Sequence, residues 1–146
     1  MIAAGAVGQW LENPFLAFLV GIIIHFVLDS IPHFDTTSDG KWTKQQIGLV
    51  VGDFVMGMII IFFYLKPPIT IGSPFWWGAL GGIFVDIFDV SPFWKDRFRQ
   101  SNFGGQVHWL HDYVHKVKAE PFFGIVSQIL VIIIGILIFK TKVLIY

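Results

Sequence analysis

Four apolar stretches, at about 14–30, 44–65, 74–90 and 121–140, leave this chain few ways to fold. Each reaches or approaches the roughly 20 residues that an α-helix needs to cross a hydrocarbon layer of about 30 Å. Each also begins on a helix signal. Asn13-Pro14 sets a capping residue before a proline at the first helical position, and Pro32 closes the same stretch. Thr43 with Gln46 has the pattern of a capping box, and Lys66-Pro67-Pro68 ends the second stretch. Ser73-Pro74 and Glu120-Pro121 open the third and fourth. The polar run between these two, 91–120, starts on Ser91-Pro92 and carries an amphipathic helical pattern at about 105–118.

Composition points the same way, since 55% hydrophobic residues and a mean hydropathy of +0.70 exceed, and 14% charged residues fall below, what an ordinary soluble domain carries. The expected fold is all-α and integral to the membrane, with four transmembrane helices and one interfacial amphipathic helix in a single helical domain, 1–146. The first apolar run has no basic residue before it and no A-x-A cleavage site after it, so it reads as retained structure rather than a signal peptide. Without cysteine, disulfides and thiolate metal sites are excluded. Ten basic residues balance ten acidic ones, so no nucleic-acid partner is expected. Membrane lipid is the expected partner, and self-association into a homo-oligomer is left open.

Sidedness follows from local charge. Lys41 and Lys44 in the first loop, with Lys95, Arg97, Arg99, Lys116 and Lys118 in the third, make up seven of the ten basic residues. Short loops rich in Lys and Arg stay cytoplasmic. Both termini are therefore expected on the non-cytoplasmic face of the cell (inner) membrane, with Trp76 and Trp77 at the outer interface and Trp42, Trp94 and Trp109 near the inner one.

Shifting the chain by sixty residues aligns NPFLAFLVGIIIHFVLDSIPHFD (13–35) with SPFWWGALGGIFVDIFDVSPFWK (73–95). Six positions are identical, and the most telling is an aspartate three residues before a proline in both copies: Asp29 with Pro32, Asp89 with Pro92. The pattern reads as a parallel duplication of a helical hairpin about an axis along the membrane normal. It predicts that Asp29 and Asp89 face each other within about 10 Å, a span that one or two metal ions and their ligands could bridge.

The polar residues share one address. Of fifteen Asp, Glu and His residues, only Glu12 falls on the outer side in this topology. His25 and Asp29, at i and i+4, share a helix face, as do Asp86 and Asp89 at i and i+3. QVHWLHDYVHK sets His108, His111 and His115 on one stripe beside Asp112. Asp53 lies about two turns into the second apolar stretch. A carboxylate inside a span costs about 2.5 to 3.5 kcal/mol at its centre, and no Lys or Arg lies inside any span to offset it. The remaining partners are protons, histidines or a bound cation, and mixed His/Asp ligation suits zinc, with manganese or iron as alternatives. The ligand candidates are His25, Asp29, Asp86, Asp89, His111 and His115, and Asp53 is the candidate general base or additional ligand.

The H-x3-D of His25 and Asp29 following GIII, the aspartate-rich GALGGIFVDIFD and the spaced histidines of HWLHDYVH resemble the motif set of the prokaryotic inner-membrane metal-dependent hydrolases. The H-x3-D unit is also similar to that of zinc-dependent phospholipase C. In the hydrolase family H-x3-D comes late and a proline opens the aspartate motif; here H-x3-D comes first and Val85 stands in the proline's place, so the order looks permuted. The resemblance implies a metal-assisted hydrolase embedded in the membrane; the charge asymmetry sets the polar groups at the cytoplasmic face, and their depth favours a lipid-like phosphoester as substrate. The residues alone leave two other readings open: a non-catalytic scaffold or subunit whose polar cluster fixes the bundle, and a cation or proton transporter.

Overall fold

The computed structural model describes residues 1–34, 42–114 and 119–145. Every regular element among them is helical. The segments are α1 (Ile2–Gly8), α2 (Pro14–Asp29), α3 (Lys44–Ile59, running on as a wider π-helical turn, Ile60–Leu65), α4 (Pro74–Asp89), α5 (Lys95–Arg99), α6 (Asn102–Val114) and α7 (Pro121–Ile145).

The terminal signals act as their chemistry dictates. Asn13 accepts a hydrogen bond from the Leu16 amide at 3.0 Å, and Pro14 occupies the first helical position of α2. Thr43 and Gln46 close the capping box of α3 in both directions. The wide turn ends at Lys66, whose φ of 53° reverses the chain ahead of Pro67-Pro68. Ser101 caps α6 by accepting from the Gly104 amide at 2.9 Å, so that helix begins three residues earlier than expected; 115–118, its expected end, lies outside the described residues. α7 runs past the expected 140 to Ile145, since Thr141-Lys142 contains no helix breaker.

Of the four expected spans, α3 with its extension (22 residues) and α7 (25 residues) are long and apolar enough to cross a membrane. α2 is a shorter apolar helix, and α4 has the same 16 residues with Asp86 and Asp89 in its last turn. Sixteen residues at 1.5 Å each reach roughly 24 Å, short of a full hydrocarbon core. The proline entries and polar exits trim both helices at both ends.

α2 and α4 lie side by side and run in the same direction. A Cβ on Gly21 would collide with the Gly78 carbonyl, and a Cβ on Gly81 would collide with the Phe18 carbonyl. These two contacts are one contact repeated after a shift of sixty residues, so the repeat relates α2 to α4 through a pseudo-two-fold axis at their crossing. It does not extend to the helices that follow. α7 packs on α1, with Gly135 against Ala3, whereas Lys44–Ile59 of α3 has no buried residue.

The sequence signals did not include α1, a seven-residue wedge of small residues against α2, α4 and α7. Its Gly8 abuts the Pro74 carbonyl and its Ala4 abuts Gly78 and Gly82. Around it, at the Pro14/Pro74 end of the bundle, Ile2, Ala6, Ile61, Leu65, Phe75, Ala79 and Phe139 form the apolar core. Trp76 and Trp77 donate to the Pro68 and Ile71 carbonyls at the same end, where they were expected to lie together.

Candidate metal centre

The opposite end of α2 and α4 is polar. The helical spacing of His25 and Asp29 brings His25 Nε2 to 3.1 Å from Asp29 Oδ2. The parallel packing then carries α4 alongside, with Asp86 Oδ1 at 3.7 Å from the same nitrogen. α6 crosses above and lowers His111 between the two helices, its Nε2 at 3.1 Å from Asp29 Oδ2 and 3.8 Å from Asp86 Oδ1. Two imidazole nitrogens and two carboxylate oxygens thus alternate around one small space, with imidazole centroids 5.3 Å apart. Ligands at about 2.0–2.2 Å from a tetrahedral ion sit about 3.3–3.6 Å from one another, so the four measured separations bracket what such a site requires.

Two further observations fit a cation. With both imidazoles neutral and protonated at Nδ1, the buried His25 Nε2 and Asp29 Oδ2 face each other with no donor between them. Buried polar atoms without a partner are costly, and a shared third partner removes the cost. In addition, each imidazole is held from behind. His25 Nδ1 lies 3.1 Å from the Gly82 carbonyl, which can only accept, so the proton sits on Nδ1 and the Nε2 lone pair faces the cluster. His111 Nδ1 lies 2.8 Å from Asp89 Oδ2, the carboxylate–histidine pairing that metal sites use to fix a ring. His25, Asp86 and His111 can each offer a ligand atom within 4.8 Å of the other two.

The cluster is closed on one side and open on the other. His25, Asp89 and His111 are buried, whereas the Asp86 side chain is 54% exposed. The edge of Phe26 packs on both imidazoles and leads into a small apolar cavity of about 50 Å³ between α2, α4, α5 and α6. His111 lies outside the apolar helices. Burial disfavours its charged form, but hydrogen bonds to Asp29 and Asp89 and the charges of Asp86 and Asp29 outweigh that, and it is pushed up to about 10.

Of the residues singled out from sequence, the structure brings together His25, Asp29, Asp86, Asp89 and His111. Asp29 and Asp89 meet opposite nitrogens of one imidazole, well inside the expected separation. Asp89 stands behind His111 instead of facing the shared space. Asp53 does not join: it is exposed on α3, and among the described residues no hydrogen bond or ion pair ties it to the cluster, although it shares the electrostatic surroundings of Met1 with Asp86 and Asp29. His115 lies outside the described residues. Arg99 was counted only as a loop charge, yet its Nε donates to Asp89 Oδ1 at 2.9 Å. The signal for it was slight: a cation ten residues beyond Asp89, across a proline turn. No protein-family model, curated protein or solved structure matches this chain.

Proposed function

We propose that this chain is an integral membrane protein that holds a divalent transition metal, zinc first among the candidates, at the cytoplasmic headgroup level and hydrolyses a lipid-like phosphoester there. The observation that carries the reading is the convergence of His25, Asp29, Asp86 and His111 on one buried space, with each imidazole held at Nδ1 from behind so that Nε2 faces it. The location rests on the outward faces of α3 and α7, where Phe54, Met56, Phe63, Phe122, Phe123 and Leu137 are all exposed. So large an apolar surface calls for lipid or a partner.

His25, Asp29 and His111 are the close ligands, and Asp86 stands slightly further off on the open side. Three protein ligands with one accessible position is the pattern of catalytic rather than structural sites. When bound, a divalent cation supplies Lewis acidity, polarising a phosphoryl oxygen and acidifying water. Asp86 is placed to accept the proton of an attacking water, and the apolar wall continued by Phe26 receives the hydrocarbon side of the substrate. A second reading, a structural site, is favoured by the count of four protein ligands, which by itself would close the coordination shell.

Metal content and hydrolysis of a lipid phosphoester in mixed micelles test both readings. Protein purified without chelator should carry one equivalent of metal and turn over the ester. Asp29→Asn keeps the side-chain size, removes a ligand, and should lower metal content at least about tenfold together with activity. Stoichiometric metal without hydrolysis selects the structural reading. No metal, with no change in stability on adding zinc, manganese or iron, overturns both.

A further inference from the structure

The sixty-residue shift makes Asp29 and Asp89 equivalent in sequence, but the structure does not use them equivalently. Asp29 Oδ2 approaches the Nε2 atoms of both His25 and His111, 3.1 Å from each, on the side where the two Nε2 atoms converge. Asp89 Oδ2 meets His111 at Nδ1, across the ring. An ion bonded to Nε2 would therefore have the imidazole between it and Asp89, far beyond the about 2.0–2.2 Å of a metal–oxygen bond. Both Asp89 oxygens are also engaged. Oδ1 accepts from Arg99 Nε, and Oδ2 is shared by His108 Nδ1 at 3.1 Å and His111 Nδ1 at 2.8 Å, in a side chain that is 1% exposed.

We infer that the duplicated aspartates have divided their roles: Asp29 is a metal ligand, whereas Asp89 is a positioning residue that fixes the proton of His111 on Nδ1 and turns Nε2 toward the ion. This rests on the metal-site reading above. Arg99, delivered by α5, and His108, one turn before His111 on α6, hold Asp89 in place. The guanidinium supplies the opposite charge that a buried carboxylate needs, and its planar donors fix the carboxylate's orientation. A carboxylate in this position raises the ligand's basicity and sets its tautomer, and losing such a partner typically lowers metal affinity 10–100-fold without removing the site.

The test uses the full chain, loaded with zinc or cobalt and labelled with ¹⁵N-histidine. In wild-type zinc protein, His111 should show a protonated Nδ1 and a metal-bound Nε2; the reverse assignment overturns the inference without any variant having to fold. Asp89→Asn should still reach one equivalent of cobalt at saturation with the four-coordinate absorption bands kept, but with zinc affinity 10–100-fold weaker and the His111 Nδ1–H resonance shifted. Arg99→Gln, which leaves Asp89 itself in place, should weaken zinc several-fold and shift the same resonance. Asp29→Asn should lose the cobalt bands. Wild-type affinity with an unshifted resonance in Asp89→Asn overturns the inference while leaving the metal site intact. Loss of the cobalt bands in Asp89→Asn with their retention in Asp29→Asn means the roles are exchanged. Wild-type protein that binds neither metal removes the underlying reading, and this one with it.

Discussion

The two ends of the α2–α4 pair are held by different physics. At the Pro14/Pro74 end, Phe75 is 1% exposed and packs edge-to-face on Phe139, with Ile61, Leu65 and the small residues of α1 filling the space around it. Cohesion there comes from close packing of apolar surface and needs nothing from outside the chain. At the Asp29/Asp89 end, three carboxylates crowd three imidazoles and the Arg99 guanidinium, and the balance of charge depends on the protons the imidazoles carry. The packing residues of the first end carry no titratable group, whereas the second end is built of them. The glycine crossing at Gly21 and Gly81 lies between the two and sets the distance at which both are assembled.

The largest effect should come from breaking that crossing. Gly81→Leu would drive a side chain into the Phe18 backbone, which cannot give way as a flexible side chain can. It should abolish zinc binding and destabilise the apolar end together, at or beyond the about 1–3 kcal/mol usual for overpacking. Zinc titration and thermal melts on one sample check it; loss at one end alone would show that the ends are assembled separately. Next, Phe75→Ala should cost about 3–5 kcal/mol through lost packing and the cavity left behind. The drop should be the same with saturating zinc as with chelator, and a zinc-dependent drop would join the two ends after all.

A smaller effect separates the ends by pH. In metal-free protein His111 is held at about 10, above the about 6.5 of an unfolded histidine. The stabilisation this represents is complete below about 6.5 and is lost as pH rises from there through about 10, because over that interval the folded state holds a proton that the unfolded state has already released. Chelator-treated protein should therefore melt progressively lower as pH is raised from 6.5 to 9. Zinc must displace the same proton, so its affinity should rise over that interval. A metal-free melting point that climbs with pH would contradict the placement of His111 between its aspartates.

What the sequence revealed, and what it hid, follow the range of the interactions. His25 and Asp29 could be paired because i, i+4 geometry is local to one helix. The α2–α4 kinship was readable because the repeat keeps Asp-x-x-Pro and the crossing glycine at equal spacing. The separate roles of Asp86 and Asp89 were hidden. Three residues apart on a helix, they point in directions about 60° apart, and only α6, arriving from beyond a turn, decides which of them faces the space shared with His25 and Asp29. Arg99 was hidden for the same reason. The α1 wedge carries no side-chain cap and spans only seven residues, too few for a periodic signal, so its helicity is a product of the cleft it fills. α2 and α4 read as spans because an apolar run does not disclose how far its proline entry and polar exit shorten it.

The smallest expected effect sharpens the boundary of the polar end. His25 and His33 belong to the same run, HFVLDSIPHFD, on either side of Pro32. They differ in what surrounds them. His25 is buried, with its Nε2 aimed into the cluster. His33 lies beyond the helix-ending Pro32, its Nδ1 is 2.9 Å from the Ile31 carbonyl, and its own carbonyl accepts from the Ala119 amide at 3.4 Å. That backbone contact survives a change of side chain. His33→Gln should therefore leave zinc stoichiometry unchanged and shift stability by no more than about 0.5 kcal/mol, as surface substitutions usually do. His25→Gln should lose metal as Asp29→Asn does. Were His33→Gln to release zinc as well, the ion would have to be held by the chain beyond Pro32, and the division of the bundle into an apolar end and a compact His/Asp end would need redrawing around that turn.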